Sequence, residues 1–122
     1  MTALISAILA YLVYVESGGN PAAVGDRGKA LGLYQIHPVY VADVNRIAGS
    51  RYTLADRTDP VKSREMVVID LRHYGERYER ITGKKATLEV LAAIHNGGPN
   101  GWKKPKFTEY AKKMKGGRNV TR

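Results

Sequence analysis

Two carboxylates stand ten positions apart in one glycine-rich stretch, Glu16 and Asp26 of ESGGNPAAVGDRGKALGLYQI, residues 16–36. Glu16 follows thirteen residues, Ala3 to Val15, among which Ser6 is the only strongly polar side chain. A carboxyl group emerging from so apolar a run loses solvation of its charged form, so its pKa rises and it can hand a proton to a leaving group. A negative charge is also disfavoured at the carboxyl end of a helix, so structure alone does not explain the choice of Glu16. Asp26 lies on a polar loop, where a carboxylate stays ionised. Two carboxyls in contrasting surroundings suit cleavage of a glycosidic bond, one donating the proton, the other acting as nucleophile, stabilising positive charge or holding water. Gly-Asp-Arg-Gly is equally an ordinary turn in which the Asp side chain bonds its own backbone.

The elements that must position these groups are helical. The apolar run predicts a helix from about Thr2 to Glu16, apolar on nearly every side and therefore a buried central helix. Gly18-Gly19-Asn20-Pro21 ends it, and residues 22–36 read as a loop with at most a small β-hairpin near residues 25–36. A second helix spans about Pro38 to Ala48, closed by Gly49; residues 50–58 read as irregular and polar. Asp59-Pro60 opens the longest helix, which reaches about Thr82 before Gly83. Its solvated face is expected to hold Glu65, Asp70, Arg72, Glu76, Arg77 and Arg80. Thr87 caps a short helix, Leu88 to about His95, cut by Asn96-Gly97-Gly98-Pro99. A last helix is expected over about Thr108 to Lys115. The class is mainly α (α+β): one domain over 1–115 and a basic tail over 116–122.

Composition narrows the chemistry. With 122 residues and no cysteine, a single packed core must hold the fold without disulfides or thiolate metal sites. The three histidines, His37, His73 and His95, lack metal-ligand spacing, so no metal and no cofactor is expected. The net charge of +9 calls for an anionic partner, and Lys103 to Arg122 holds eight Lys or Arg against Glu109 alone. Few aromatics interleave that run, and no nucleic-acid motif accompanies it. No basic residue precedes the apolar N-terminal run, so it does not read as a secretory signal, and it is shorter than the ~20 residues of a membrane span.

Three ordered segments carry a resemblance: Glu16-Ser17-Gly18 with Asn20-Pro21; Gly32-Leu33-Tyr34-Gln35-Ile36; and Ala93-Ile94-His95-Asn96-Gly97-Gly98-Pro99-Asn100-Gly101. Together they resemble the lysozyme-like peptidoglycan glycosidases. The first half is similar to soluble lytic transglycosylase domains, and the Tyr-Gln-Ile and His-Asn-Gly-Gly-Pro-Asn-Gly segments are similar to invertebrate-type lysozymes, which are cysteine-rich where this chain has none.

The resemblance implies a lysozyme-like fold and cleavage of the β-1,4 bond between N-acetylmuramic acid and N-acetylglucosamine. Glu16 would be the general acid and Asp26 its partner in a muramidase. The alternative is lytic transglycosylation, in which the substrate's own N-acetyl group attacks the sugar carbon. Ser17 either shapes the turn or orients water or the acetamido group. Tyr34 and Gln35 are either plain strand residues or line the sugar groove. His95 and Asn96 either cap their helix, bind the sugar chain from the wall opposite Glu16, or do both. His37 reads as a capping or surface residue. The implied partner is peptidoglycan, with anionic wall polymers on the basic C-terminal end, for a monomer acting on the bacterial wall. A phage lysis enzyme, a virion-associated enzyme and a bacterial protein whose targeting region is absent here all fit a chain without an evident signal. The rival of another class is a catalytically silent wall-binding or virion-structural module.

Overall fold

The structure, a computed structural model, describes residues 2–106. The helix expected over Thr108–Lys115 and the tail Gly116–Arg122 lie outside the described residues. The elements run α1 (Thr2–Ser17), β1 (Val24–Gly25), β2 (Ala30–Leu31), α2 (Pro38–Ala48), α3 (Pro60–Thr82) and α4 (Leu88–Gly97). The class is the expected one, mainly helical with one small antiparallel hairpin, in which Val24 pairs with Leu31 and Gly25 with Ala30.

Helix boundaries follow from local chemistry. The Asp59 carboxylate accepts from the backbone N–H groups of Val61 and Lys62, both at 2.9 Å, and Pro60 occupies the first turn, where its missing N–H costs nothing. Gly49 and Gly83 end α2 and α3 in the left-handed conformation, at φ 64° and 71°. Thr87 caps α4 through Val90 N–H. Two stretches are more ordered than expected. Residues Leu54–Thr58 form a short 3-10 turn, locked by a reciprocal Thr53–Asp56 capping box, and α4 continues two residues past His95.

The core lies where α1, α2, α3 and α4 converge, with Ile8, Leu12, Ile36, Val44, Met66, Leu71 and Leu91 completely buried. α1 is more exposed than its composition suggests. Only the stripe Ile5, Ile8, Leu9, Leu12 is buried, whereas Tyr14 is 75% exposed and Val15 43%. The stripe repeats at the i, i+3, i+4, i+7 spacing of one helix face. Alanines and a tyrosine fill the other side, and such residues make a helix look apolar without requiring burial. Among the described residues no helix is long and apolar enough to cross a membrane.

The loop between the hairpin and α2 is held by Arg57, a buried cation that the sequence did not single out. Its guanidinium donates to the carbonyls of Leu54 (2.8 Å), Lys29 (2.9 Å) and Ile36 (3.1 Å). Burial pushes its pKa down. Three accepting carbonyls supply the partners that a buried charge demands.

Candidate active site

Glu16, on the last turn of α1, faces a cleft of about 280 Å³ whose other lining residues are Asp26, Ala30, Gln35, His37, His95 and Asn96. The chain thus brings the C-terminal end of α1, the hairpin and its following loop, and the C-terminal end of α4 to one place. Five of the seven expected site residues meet there: Glu16, Asp26, Gln35, His95 and Asn96.

Ser17 and Tyr34 are not among the residues that line this cleft. The Ser17 hydroxyl donates to the Val13 carbonyl (3.0 Å) and accepts from Gly19 N–H (3.2 Å), so it builds the turn that ends α1. The Tyr34 side chain belongs to the hydrophobic core, 3% exposed, which also pushes its hydroxyl pKa up. In a segment that turns at Gly32 and Gln35, the two residues between them pack inward, Tyr34 in the core and Leu33 against it.

Gln35 is bound to its own loop. It sits at φ 53°, and its Nε2 donates to the carbonyls of Ala23 and Gly32, each at 3.1 Å. A Cβ added at Gly25 would stand 2.2 Å from Gln35 Oε1, so glycine is needed there to let the amide approach. Gln35 therefore ties the hairpin to the loop. Asn96, by contrast, is exposed and has no side-chain partner among the described residues, leaving its amide open to the cleft.

Asp26 is held by His37, a residue read from the sequence as capping or merely superficial. His37 Nε2 lies 2.6 Å from Asp26 Oδ2, and that bond holds the Asp26 carboxyl below its ordinary range. A carboxylate only accepts, so the proton is on Nε2. Asp26 is exposed, ionised and already engaged. Its backbone is left-handed at φ 47°, as is that of Arg27 at φ 57°.

His95 is a strut as well as a wall. Its Nε2 donates to the Tyr34 carbonyl at 2.8 Å, and its Nδ1 lies 3.0 Å from the Tyr40 hydroxyl. The carbonyl cannot donate, so the tautomer with hydrogen on Nε2 is fixed, and Nδ1 accepts from Tyr40. Burial pushes the His95 pKa down to about 4, so the ring is neutral at pH 7.

Behind His95 lies a polar cluster that the sequence reading placed in solvent. Asp70 of α3, expected on the solvated face, is 5% exposed. It falls three residues after Val67 and four before Tyr74, on the buried stripe; that spacing was the available signal. Burial pushes the Asp70 carboxyl up to about 7, against the hydrogen bond with Tyr40 and with the Asp43 charge adding to the rise. Asp43 itself is held below its ordinary range by hydrogen bonds from Tyr74 and Arg46 that outweigh its partial burial. These residues line a larger depression of about 670 Å³, which shares His37, His95 and Asn96 with the Glu16 cleft. A third, of about 450 Å³, runs past Lys104 and Lys106, and all three meet at Asn96. Among the described residues no group of His, Cys, Asp or Glu could hold a metal ion.

A family model described as "Transglycosylase SLT domain" matches residues 1–116 of the chain. No curated protein and no solved structure matches it.

Proposed function

The chain belongs to the transglycosylase SLT domain family, a lysozyme-like glycosidase family acting on peptidoglycan, and from that premise we propose lytic transglycosylation with Glu16 as acid and then as base. The carrying observation is that Glu16 and Asn96 line one cleft. Asp26, the other carboxylate of that cleft, is exposed and taken up by His37. An engaged, hydrated carboxylate is a poor nucleophile, which favours the substrate's own acetamido group over a muramidase pair.

The steps follow from these positions. Glu16, at the negative end of α1 and half-buried, gives its proton to the glycosidic oxygen as the bond to the muramyl C1 breaks. The acetamido oxygen of the same sugar closes on C1. The sugar's 6-hydroxyl oxygen then attacks C1 while its proton passes to the Glu16 carboxylate and the acetamido oxygen leaves. The product carries a 1,6-anhydro-muramic end, and Glu16 is again protonated. Asn96 hydrogen-bonds the sugar chain from the opposite wall, and Gln35, His95 and Tyr34, through its carbonyl, hold that wall in place. Lys103, Lys104 and Lys106, all exposed, begin the basic end proposed to meet anionic wall polymers.

Digestion of purified peptidoglycan, with product ends identified by mass spectrometry, tests the reading. The wild type is expected to release anhydro-muramic ends, and Glu16→Gln to be slower by about 10²–10⁴-fold, the scale of a lost general acid. Equal release by both proteins would sink it.

A further inference from the structure

Two locally unfavourable choices meet in the Asp26–His37 contact. Asp26 and Arg27 are consecutive non-glycine residues in the left-handed region, which side chains rarely adopt. His37 occupies the N-cap position of α2, where Ser, Thr, Asp or Asn would satisfy a free backbone N–H, yet its side chain makes no cap bond. The ring reaches instead across the cleft mouth to Asp26. Strained backbone and a forgone cap that converge on one contact, beside an acid, are features of a site selected for chemistry rather than for the fold.

The contact also defines the ring chemically. With the Nε2 proton donated to Asp26, neutral His37 keeps its lone pair on Nδ1, and that nitrogen has no hydrogen-bond partner among the described residues. An imidazole oriented by a carboxylate through one nitrogen and basic at the other is the arrangement that activates a hydroxyl or a water. The His37 and Asp26 side chains are 42% and 61% exposed, so water reaches them freely. Both line the same cleft as Glu16.

We propose that His37, oriented by Asp26, is the base that delivers water to the muramyl carbon and so sets what fraction of cleavage ends in hydrolysis rather than in an anhydro ring. This rests on the reading of Glu16 as the acid. In the hydrolytic branch the water oxygen bonds C1 while the acetamido oxygen leaves with its electron pair. Nδ1 takes one water proton and later releases it to solvent. Glu16, which gave its proton to the departing sugar, regains one from solvent. In the competing branch the 6-hydroxyl takes the place of water and its proton returns to Glu16 directly. Asp26 is the positioning residue, and it touches the reaction only through His37.

The test is digestion of purified peptidoglycan in ¹⁸O-water by the full chain, counting labelled reducing muramic ends against anhydro ends. The wild type should yield both. His37→Ala and Asp26→Asn should lower the ratio of labelled to anhydro ends by about tenfold or more, a lower bound for a lost oriented base. Added imidazole should restore part of the labelled fraction in His37→Ala. Should His37→Ala fold poorly, His37→Gln carries the same expectation. An unchanged ratio in the variants, no rescue by imidazole, or anhydro ends alone from the wild type would overturn the role of His37 and leave that of Glu16 standing. Absence of any released fragment from the wild type would overturn both.

Discussion

His95 donates from Nε2 to the carbonyl of Tyr34, 61 positions earlier in the chain, at 2.8 Å. This bond ties the Asn96 end of α4 to the loop that presents Gln35. The ring's other nitrogen accepts from Tyr40 of α2, whose ring also meets the imidazole edge-on at 5.3 Å between centroids. α4, the loop that presents Gln35, and α2 are thus joined through one neutral imidazole. Tyr40→Phe keeps the ring contact and removes the hydroxyl that meets Nδ1. An unsatisfied buried acceptor costs about 1–3 kcal/mol, so the urea midpoint should fall by that equivalent with the unfolding slope unchanged. No measurable shift would mean that water replaces the hydroxyl and that the strut is unnecessary.

The same cluster sets a pH dependence with two opposing parts. His95 titrates near 4 in the folded chain against an ordinary 6.5, so its contribution is fully present above pH 6.5 and is lost as the pH falls toward 4, because the unfolded chain takes the proton first. The loss is roughly 2–3 kcal/mol. Asp70 runs the other way. Its folded value of about 7 exceeds the ordinary 3.8, so its contribution is present below pH 3.8 and is lost as the pH rises through 7. The two windows overlap and offset each other in the wild type.

Asp70→Asn separates them. An amide in that place has no charge to desolvate and keeps a polar partner for the Tyr40 hydroxyl. The variant should exceed the wild type in stability by roughly 2–4 kcal/mol at pH 8, with the gap closing by pH 4. It should then show the acid loss of His95 without compensation. Thermal unfolding of both proteins between pH 4 and pH 8 reads this directly, and parallel curves would refute it.

Much of this site was legible because it rests on short-range signals. Asp59-Pro60, Gly49, Gly83 and Thr87 fixed helix ends by local chemistry alone, and the ordered segments around Glu16, Gln35 and Asn96 located the cleft. The contacts that escaped notice act at long range. His37 and Asp26 are 11 positions apart, Tyr40 and His95 are 55 apart, and Arg57 reaches 28 positions back to the Lys29 carbonyl. No periodicity or composition encodes which side chain meets a distant carbonyl. The one-sided burial of α1 was hidden for the opposite reason, since alanine and tyrosine suit surface and core alike. Asp70 was misjudged by charge when its spacing from Val67 and Tyr74 marked it as inward.

Asn96 gives a prediction of another kind. Its amide lines all three depressions and has no side-chain partner among the described residues, so truncating it removes nothing from the fold. Asn96→Ala should leave thermal stability within about 0.5 kcal/mol of wild type. It should lower kcat/KM on peptidoglycan by about tenfold, the equivalent of a lost hydrogen bond to the sugar chain. Unimpaired turnover would remove Asn96 from the binding wall.

Gly32 tests how closely the cleft loop is packed on the Arg57 turn. Its φ of 85° already disfavours a side chain, and a Cβ there would lie 1.9 Å from the Arg57 carbonyl oxygen. Gly49 provides the comparison, since it too is left-handed, at φ 64°, but has nothing within 4 Å of the added carbon. Gly49→Ala should therefore cost only about 1 kcal/mol of backbone strain. Gly32→Ala carries that strain and must also push the Arg57 backbone away, which loosens the guanidinium from the Lys29 and Ile36 carbonyls. Its cost should reach about 3–5 kcal/mol. The difference between the two urea midpoints isolates the close approach from the left-handed strain that the variants share. Equal destabilisation would mean that the loop slides away from Arg57 without loss, and the buried guanidinium would then not be what holds that wall of the cleft.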